Sequence, residues 1–159
     1  MMGNHEEPAY KRFEGTCRTC GKTFIYHNSV KRHPDHQECP QCEAEKIEWQ
    51  ELLEWSGFRR PTQEEARIAR DVNEWWWYPD GDIFIVLPDL DLNNLFKWVV
   101  SKLVEIGYEI TVRCFSGKWD VSLFAARQPF PDIDIKCIED PKQALFQACY
   151  KVMKKVRDE

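Results

Sequence analysis

From residue 90 onward the apolar positions change period twice. Leu92, Leu95, Phe96, Val99, Val100, Leu103 and Val104 recur at helical spacing, which predicts a helix over 92–106, capped by Asp91 and stopped by Gly107. Residues 108–115 then alternate, with Tyr108, Ile110, Val112 and Cys114 on one face and Glu109, Thr111 and Arg113 on the other. Ser116-Gly117-Lys118 reads as a hairpin turn, and alternation resumes over 119–125 with Trp119, Val121 and Leu123 inward. After a proline-containing loop, Ile133, Ile135 and Cys137 predict a third strand. Asp140, with Pro141 at the first helical position, opens a last helix striped by Leu145, Ala148, Cys149, Val152 and Val156. The order α-β-β-β-α predicts an α+β fold, a three-stranded antiparallel sheet covered by two helices. Cys114, Cys137 and Cys149 take inward positions and are read as core.

Upstream the pattern is shorter-ranged. Residues 43–55 predict a helix ending near Gly57, with Ile47, Trp49, Leu52 and Trp55 apolar and Glu43, Glu45, Glu48, Glu51 and Glu54 acidic. Thr62 and Glu65 form a capping box that opens a helix over 63–73, with Ala66, Ala69 and Val72 on one side. Pro79-Asp80-Gly81 is a turn signal between the Trp75-Trp76-Trp77 run and the β-prone residues 83–87, so a short hairpin, or an aromatic loop followed by a strand, is expected. Acidic neighbours (Asp71, Glu74, Asp80 and Asp82) disfavour phosphate contacts by these rings, which are read as packing, with Trp76 kept as a candidate contact.

Composition narrows the class. Hydrophobic residues at 43% and charged residues at 31% match a globular chain rather than a disordered one. The net charge of −5 argues against attachment to nucleic acid or anionic lipid by bulk charge. No apolar run approaches the about 18 residues needed to cross a bilayer, and the N-terminus carries no apolar signal core, so a cytoplasmic protein without a membrane role is expected.

The cysteines carry the chemistry. Cys17-Arg-Thr-Cys20 and Cys39-Pro-Gln-Cys42 are two CxxC pairs at zinc-ribbon separation. In a tight CxxC turn both sulfurs point to one side, so two such turns supply the four corners of a tetrahedral thiolate site for one structural zinc ion (Zn2+). A mixed set of Cys17, Cys20, His33 and Cys39 is the alternative, whereas His27, His33 and His36 otherwise read as loop residues. Four cysteines would close the coordination shell, which leaves no place for a reacting water, and no catalytic constellation stands out elsewhere. The candidate ribbon core is Phe13, Phe24, Ile25 and Val30. Lys11, Arg12, Arg18, Lys22, Lys31 and Arg32 make residues 11–36 basic, and Lys22, Lys31 and Arg32 are the candidate phosphate or partner contacts. Three segments are therefore expected: a zinc-ribbon module over 1–42, a short helical linker over 43–73 and an α+β sandwich domain over 74–159 that folds without the ribbon.

Two resemblances extend these readings. Cys17, Cys20, Gly21, Lys22, Phe24, Cys39, Pro40 and Cys42 resemble the CxxCGKxF and CPxC knuckles of small bacterial and phage zinc ribbons, which implies a structural metal. Residues 75–155 resemble the phage ABA-sandwich domain through Leu87-Pro88-Asp89, Asp91, Ile106-Gly107-Tyr108, Trp119-x-Val121 and Asp140-Pro141 with Ala144-Leu145. That resemblance implies a phage origin and no reaction. The double-stranded-RNA-binding domain shares the element order, but its phosphate-gripping lysine cluster has no counterpart at Glu139-Asp140-Pro141-Lys142. The expected function is a non-enzymatic phage-derived accessory protein that binds a protein partner in the host cytoplasm. The alternative is a nucleic-acid binder using the basic ribbon, and Asp132, Asp134 and Glu109 are the carboxylates an enzyme would have to use.

Overall fold

The computed structural model describes residues 10–68, 75–84 and 86–159, and the chain divides into two compact units, Met1–Ile47 and Glu48–Glu159. The first unit opens with an antiparallel hairpin of β1 (Lys11–Thr16) and β2 (Thr23–Asn28). Its register sets Phe13 opposite Tyr26 and Gly15 opposite Phe24, so Phe13, Phe24 and Tyr26 share a face and their rings meet at centroid distances of 5.6 Å. Ile25 pairs with Glu14 on the other face and is exposed, as is Val30. The ribbon core keeps the expected Phe13 and Phe24 and adds Tyr26; strand parity turns Ile25 out, and Val30 lies past the end of β2. A 3-10 turn over Pro34–His36 leads to α1 (Pro40–Trp55). This helix begins earlier than the expected 43, since Pro40 suits the first helical position and the Cys39 carbonyl already accepts from the Glu43 N–H at 3.0 Å.

The second unit takes the later turns of α1 into its core. Trp49, Leu52, Leu53 and Phe58 are buried in one cluster with Trp76, Leu95, Leu103, Val121 and the inward residues of the last helix, α5 (Pro141–Asp158). The Trp49 ring meets Phe146 edge-on at 6.5 Å, and Glu51 accepts from the Tyr150 hydroxyl at 2.7 Å and from Lys154 at 2.8 Å. A helical linker is the expectation over 43–73. Its first helix supplies core, and the boundary between units falls inside it, at Ile47. In α2 (Gln63–Ile68) the capping box forms as read: Glu65 accepts from the Thr62 N–H at 2.8 Å and donates its own N–H to the Thr62 hydroxyl at 3.3 Å. The remainder of the helix read over 63–73, with Ala69 and Val72, lies outside the described residues. The expected hairpin is present as β3 (Trp76–Trp77) and β4 (Ile83–Phe84).

The helix over 92–105 is compound: α3 (Leu92–Asn94), a π-helical stretch Leu95–Val100, and α4 (Ser101–Glu105). Asp91 caps it as read, accepting from the Asn94 N–H at 2.7 Å. The wider π turn shifts the inward stripe to Leu95, Trp98, Val99 and Leu103 and leaves Leu92, Phe96 and Val104 exposed. Regular 3.6 spacing cannot anticipate that rotation.

The sheet runs β5 (Tyr108–Phe115), β6 (Lys118–Ala125), β7 (Ile133–Ile138), antiparallel with β6 central. Val121, Leu123 and Ile135 are buried as expected. Two of the three cysteines read as core are not. Cys114 lies in the exposed far half of β5, and Cys137 sits in a bulge with φ of 61°, its N–H donated to Asp120 at 2.8 Å. The bulge shifts the register between Trp119 and Val121, so Cys137 turns out and Ile138 packs instead. Cys149 is buried in α5, and burial pushes its thiol up to about 12.

Candidate metal centre

The first knuckle is the turn between β1 and β2. The Cys17 carbonyl accepts from the Gly21 N–H at 2.8 Å, and the Cys17 N–H is donated to the Lys22 carbonyl at 2.9 Å. Gly21 has φ of 72°, a left-handed turn that a side chain would strain. The second knuckle is the first turn of α1, with Cys39 immediately before Pro40 and Cys42 inside the helix.

Polar side chains bring the two knuckles together. Glu38 accepts from the Thr19 hydroxyl at 2.8 Å, from Arg18 Nε at 3.2 Å and from Lys46. Hydrogen bonding from Lys46 first, then from Thr19 and Arg18 against a burial cost, holds the Glu38 carboxyl down to about 2. Buried Gln37 lies under Gly15, accepting from the Thr16 N–H at 3.0 Å and donating to the Arg32 carbonyl at 2.9 Å. A Cβ on Gly15 would stand 2.5 Å from Gln37 Oε1, so this approach needs glycine. Spacing arguments pass over Glu38, Gln37 and Gly15. Their adjacency to the knuckles, with a glycine mid-strand, was the available signal.

The result is four sulfurs converging. The Sγ atoms of Cys17, Cys20, Cys39 and Cys42 all lie within 4.8 Å of one another, and Cys20 and Cys39 are 3.8 Å apart. A tetrahedron with metal–sulfur bonds near 2.3 Å has an edge of roughly 3.8 Å, so the donor set fits a closed thiolate site. Burial pushes the Cys17 thiol up, but N–H groups of Cys39, Cys20 and Thr19 outweigh it and bring it to about 6, while burial and the neighbouring sulfurs push Cys42 up. His33 stays outside the cluster: its Nδ1 accepts from the Asp35 N–H at 3.4 Å at the head of the 3-10 turn, so the mixed cysteine–histidine set is not the one assembled.

The expected contact residues separate. Lys22 and Lys31 are exposed. Arg32 is built into the ribbon, its guanidinium 5.3 Å from the Tyr26 ring centroid and 3.6 Å from Glu43, its N–H donated to the Tyr26 hydroxyl at 3.0 Å. Trp76 is 3% exposed, with the Arg60 guanidinium 3.8 Å over its ring, and offers no free stacking face. Asp132 accepts from the Tyr108 hydroxyl at 2.8 Å and from Lys155, and Asp134 from the Ser122 hydroxyl at 2.9 Å beside Lys136, whereas Glu109 lies on the outer face of β5. Among the described residues no helix is long and apolar enough to cross a membrane.

No protein-family model, curated protein or solved structure matches this chain.

Proposed function

We propose that the protein is a non-enzymatic, phage-derived accessory protein whose first unit is a zinc ribbon and whose task is to bind a protein partner. The observation that carries this reading is the convergence of four cysteine sulfurs, because a four-thiolate shell is filled by the protein and leaves no position for substrate or reactive water. Soft thiolates in tetrahedral array select zinc or iron, and zinc is the structural choice. The three aromatic rings of the ribbon are too small a core to order the hairpin unaided, so metal ligation supplies the folding free energy. A phage origin and a host-cytoplasm setting rest on the ABA-sandwich motifs, whose Asp91 and Asp140 caps serve the fold here. Exposed apolar side chains support a protein partner, foremost Phe115 at 79% exposure beside the β5–β6 turn.

Elemental analysis of protein purified without chelator tests the metal. About one zinc per chain is expected, and iron in its place, or under half an equivalent of any metal, refutes it. A second reading, nucleic-acid binding, is favoured by one observation: Lys11, Arg12, Lys22 and Lys31 are exposed and make no ion pair among the described residues. Salt-titrated binding to DNA and RNA separates the two, since steep weakening with salt belongs to phosphate contacts.

A further inference from the structure

The two edges of the sheet are built differently. Edge β7 is interrupted by the bulge at Cys137 and preceded by Pro131, two devices that block pairing with another strand. Edge β5 carries neither. It is the longer of the two edge strands, eight residues against six, pairs only with β6 among the described residues, and has no proline, lysine or bulge along it. Such an edge presents a free row of N–H and C=O groups.

Its sequence is self-complementary. Around Thr111 the order is Glu109-Ile110-Thr111-Val112-Arg113. An antiparallel copy centred on Thr111 sets Glu109 against Arg113 of the second copy and Ile110 against Val112 of the second copy, and the dyad repeats both pairs. Glu109 and Arg113 share the outer face, and neither makes an ion pair within the chain among the described residues. Val112 points to the helix-covered face, yet is 40% exposed. The register thus gives an opposite charge to two groups without an ion pair among the described residues, and a neighbour to one uncovered apolar side chain, on each copy. We propose that β5 is a dimerisation edge, pairing antiparallel about Thr111 with β5 of a second copy to form a continuous six-stranded sheet.

Sedimentation of the full, metal-loaded chain over a concentration series tests this. A reversible dimer is expected. Glu109→Arg or Arg113→Glu alone replaces two attractive cross-strand pairs with two repulsive ones and should weaken the dimer about tenfold or more. The double variant restores opposite charges across the dyad and should recover most of the lost affinity. A monomer throughout, single reversals without effect, or a double variant no better than the singles would each overturn the proposal. Hydrogen exchange of the wild-type β5 amides gives a readout free of substitutions. The edge-facing amides should be protected more strongly as concentration rises, and protection independent of concentration also overturns it.

Discussion

Replacing Leu52 with alanine probes the least expected part of the core, the end of α1. Leu52 has no exposed surface and lies in one buried cluster with Leu53, Phe58 and the inward residues of α5. Ile47, five positions earlier on the same helix and in the same expected apolar set, is 63% exposed. Leu52→Ala removes the transfer free energy of the lost carbons and leaves a cavity, for about 3–5 kcal/mol, against a gain of about 0.2 kcal/mol from alanine's helix propensity. Ile47→Ala gives up little burial and gains a few tenths from replacing a β-branched residue, so it should fall within about 0.5 kcal/mol of wild type. Every tryptophan of the chain lies between Trp49 and Trp119, so urea unfolding followed by tryptophan emission reports the second unit alone. With a slope of about 2 kcal/mol per molar urea, the Leu52→Ala midpoint should fall by roughly 1.5–2.5 M while that of Ile47→Ala stays in place. Equal midpoints for the two variants would refute the assignment of α1 to the second core.

A fragment of residues 48–159 should melt cooperatively, whereas one of residues 74–159, deprived of Trp49, Leu52, Leu53 and Phe58, should lose that transition in differential scanning calorimetry. Chelation should strip the metal and the hairpin's amide protection while tryptophan emission is unchanged, because the metal ligands and the tryptophans belong to different units. Gly15→Ala drives a Cβ against Gln37 and should destabilise the ribbon by about 1–3 kcal/mol, read as faster loss of bound metal to a competing chelator. Lys155 and the Tyr108 hydroxyl hold the Asp132 carboxyl below its ordinary range, so its stabilisation is present above the unfolded value near about 4 and is lost as pH falls below it. Asp132→Asn should therefore lower the melting temperature at neutral pH, and the gap from wild type should close in acid.

Local rules determined much of this protein from its sequence. The clustering of the four cysteines was legible because CxxC spacing fixes where two sulfurs of one turn point, whatever surrounds them. The capping box at Thr62, the caps at Asp91 and Asp140, and the turn joining β5 to β6 were legible for the same reason, since each depends on neighbours a few residues away. Tertiary structure alone decided the rest. Which rows of a helix face inward depends on its winding, and the π turn over Leu95–Val100 buried Trp98 while leaving Phe96 out. Which residues of a strand face inward depends on unbroken pairing, and the bulge at Cys137 broke it. The partner of α1's apolar side lies about a hundred residues away at Phe146, Tyr150 and Lys154, a pairing that no short-range pattern encodes. Periodicity shows that a face must be covered. The packing of the whole chain selects what covers it.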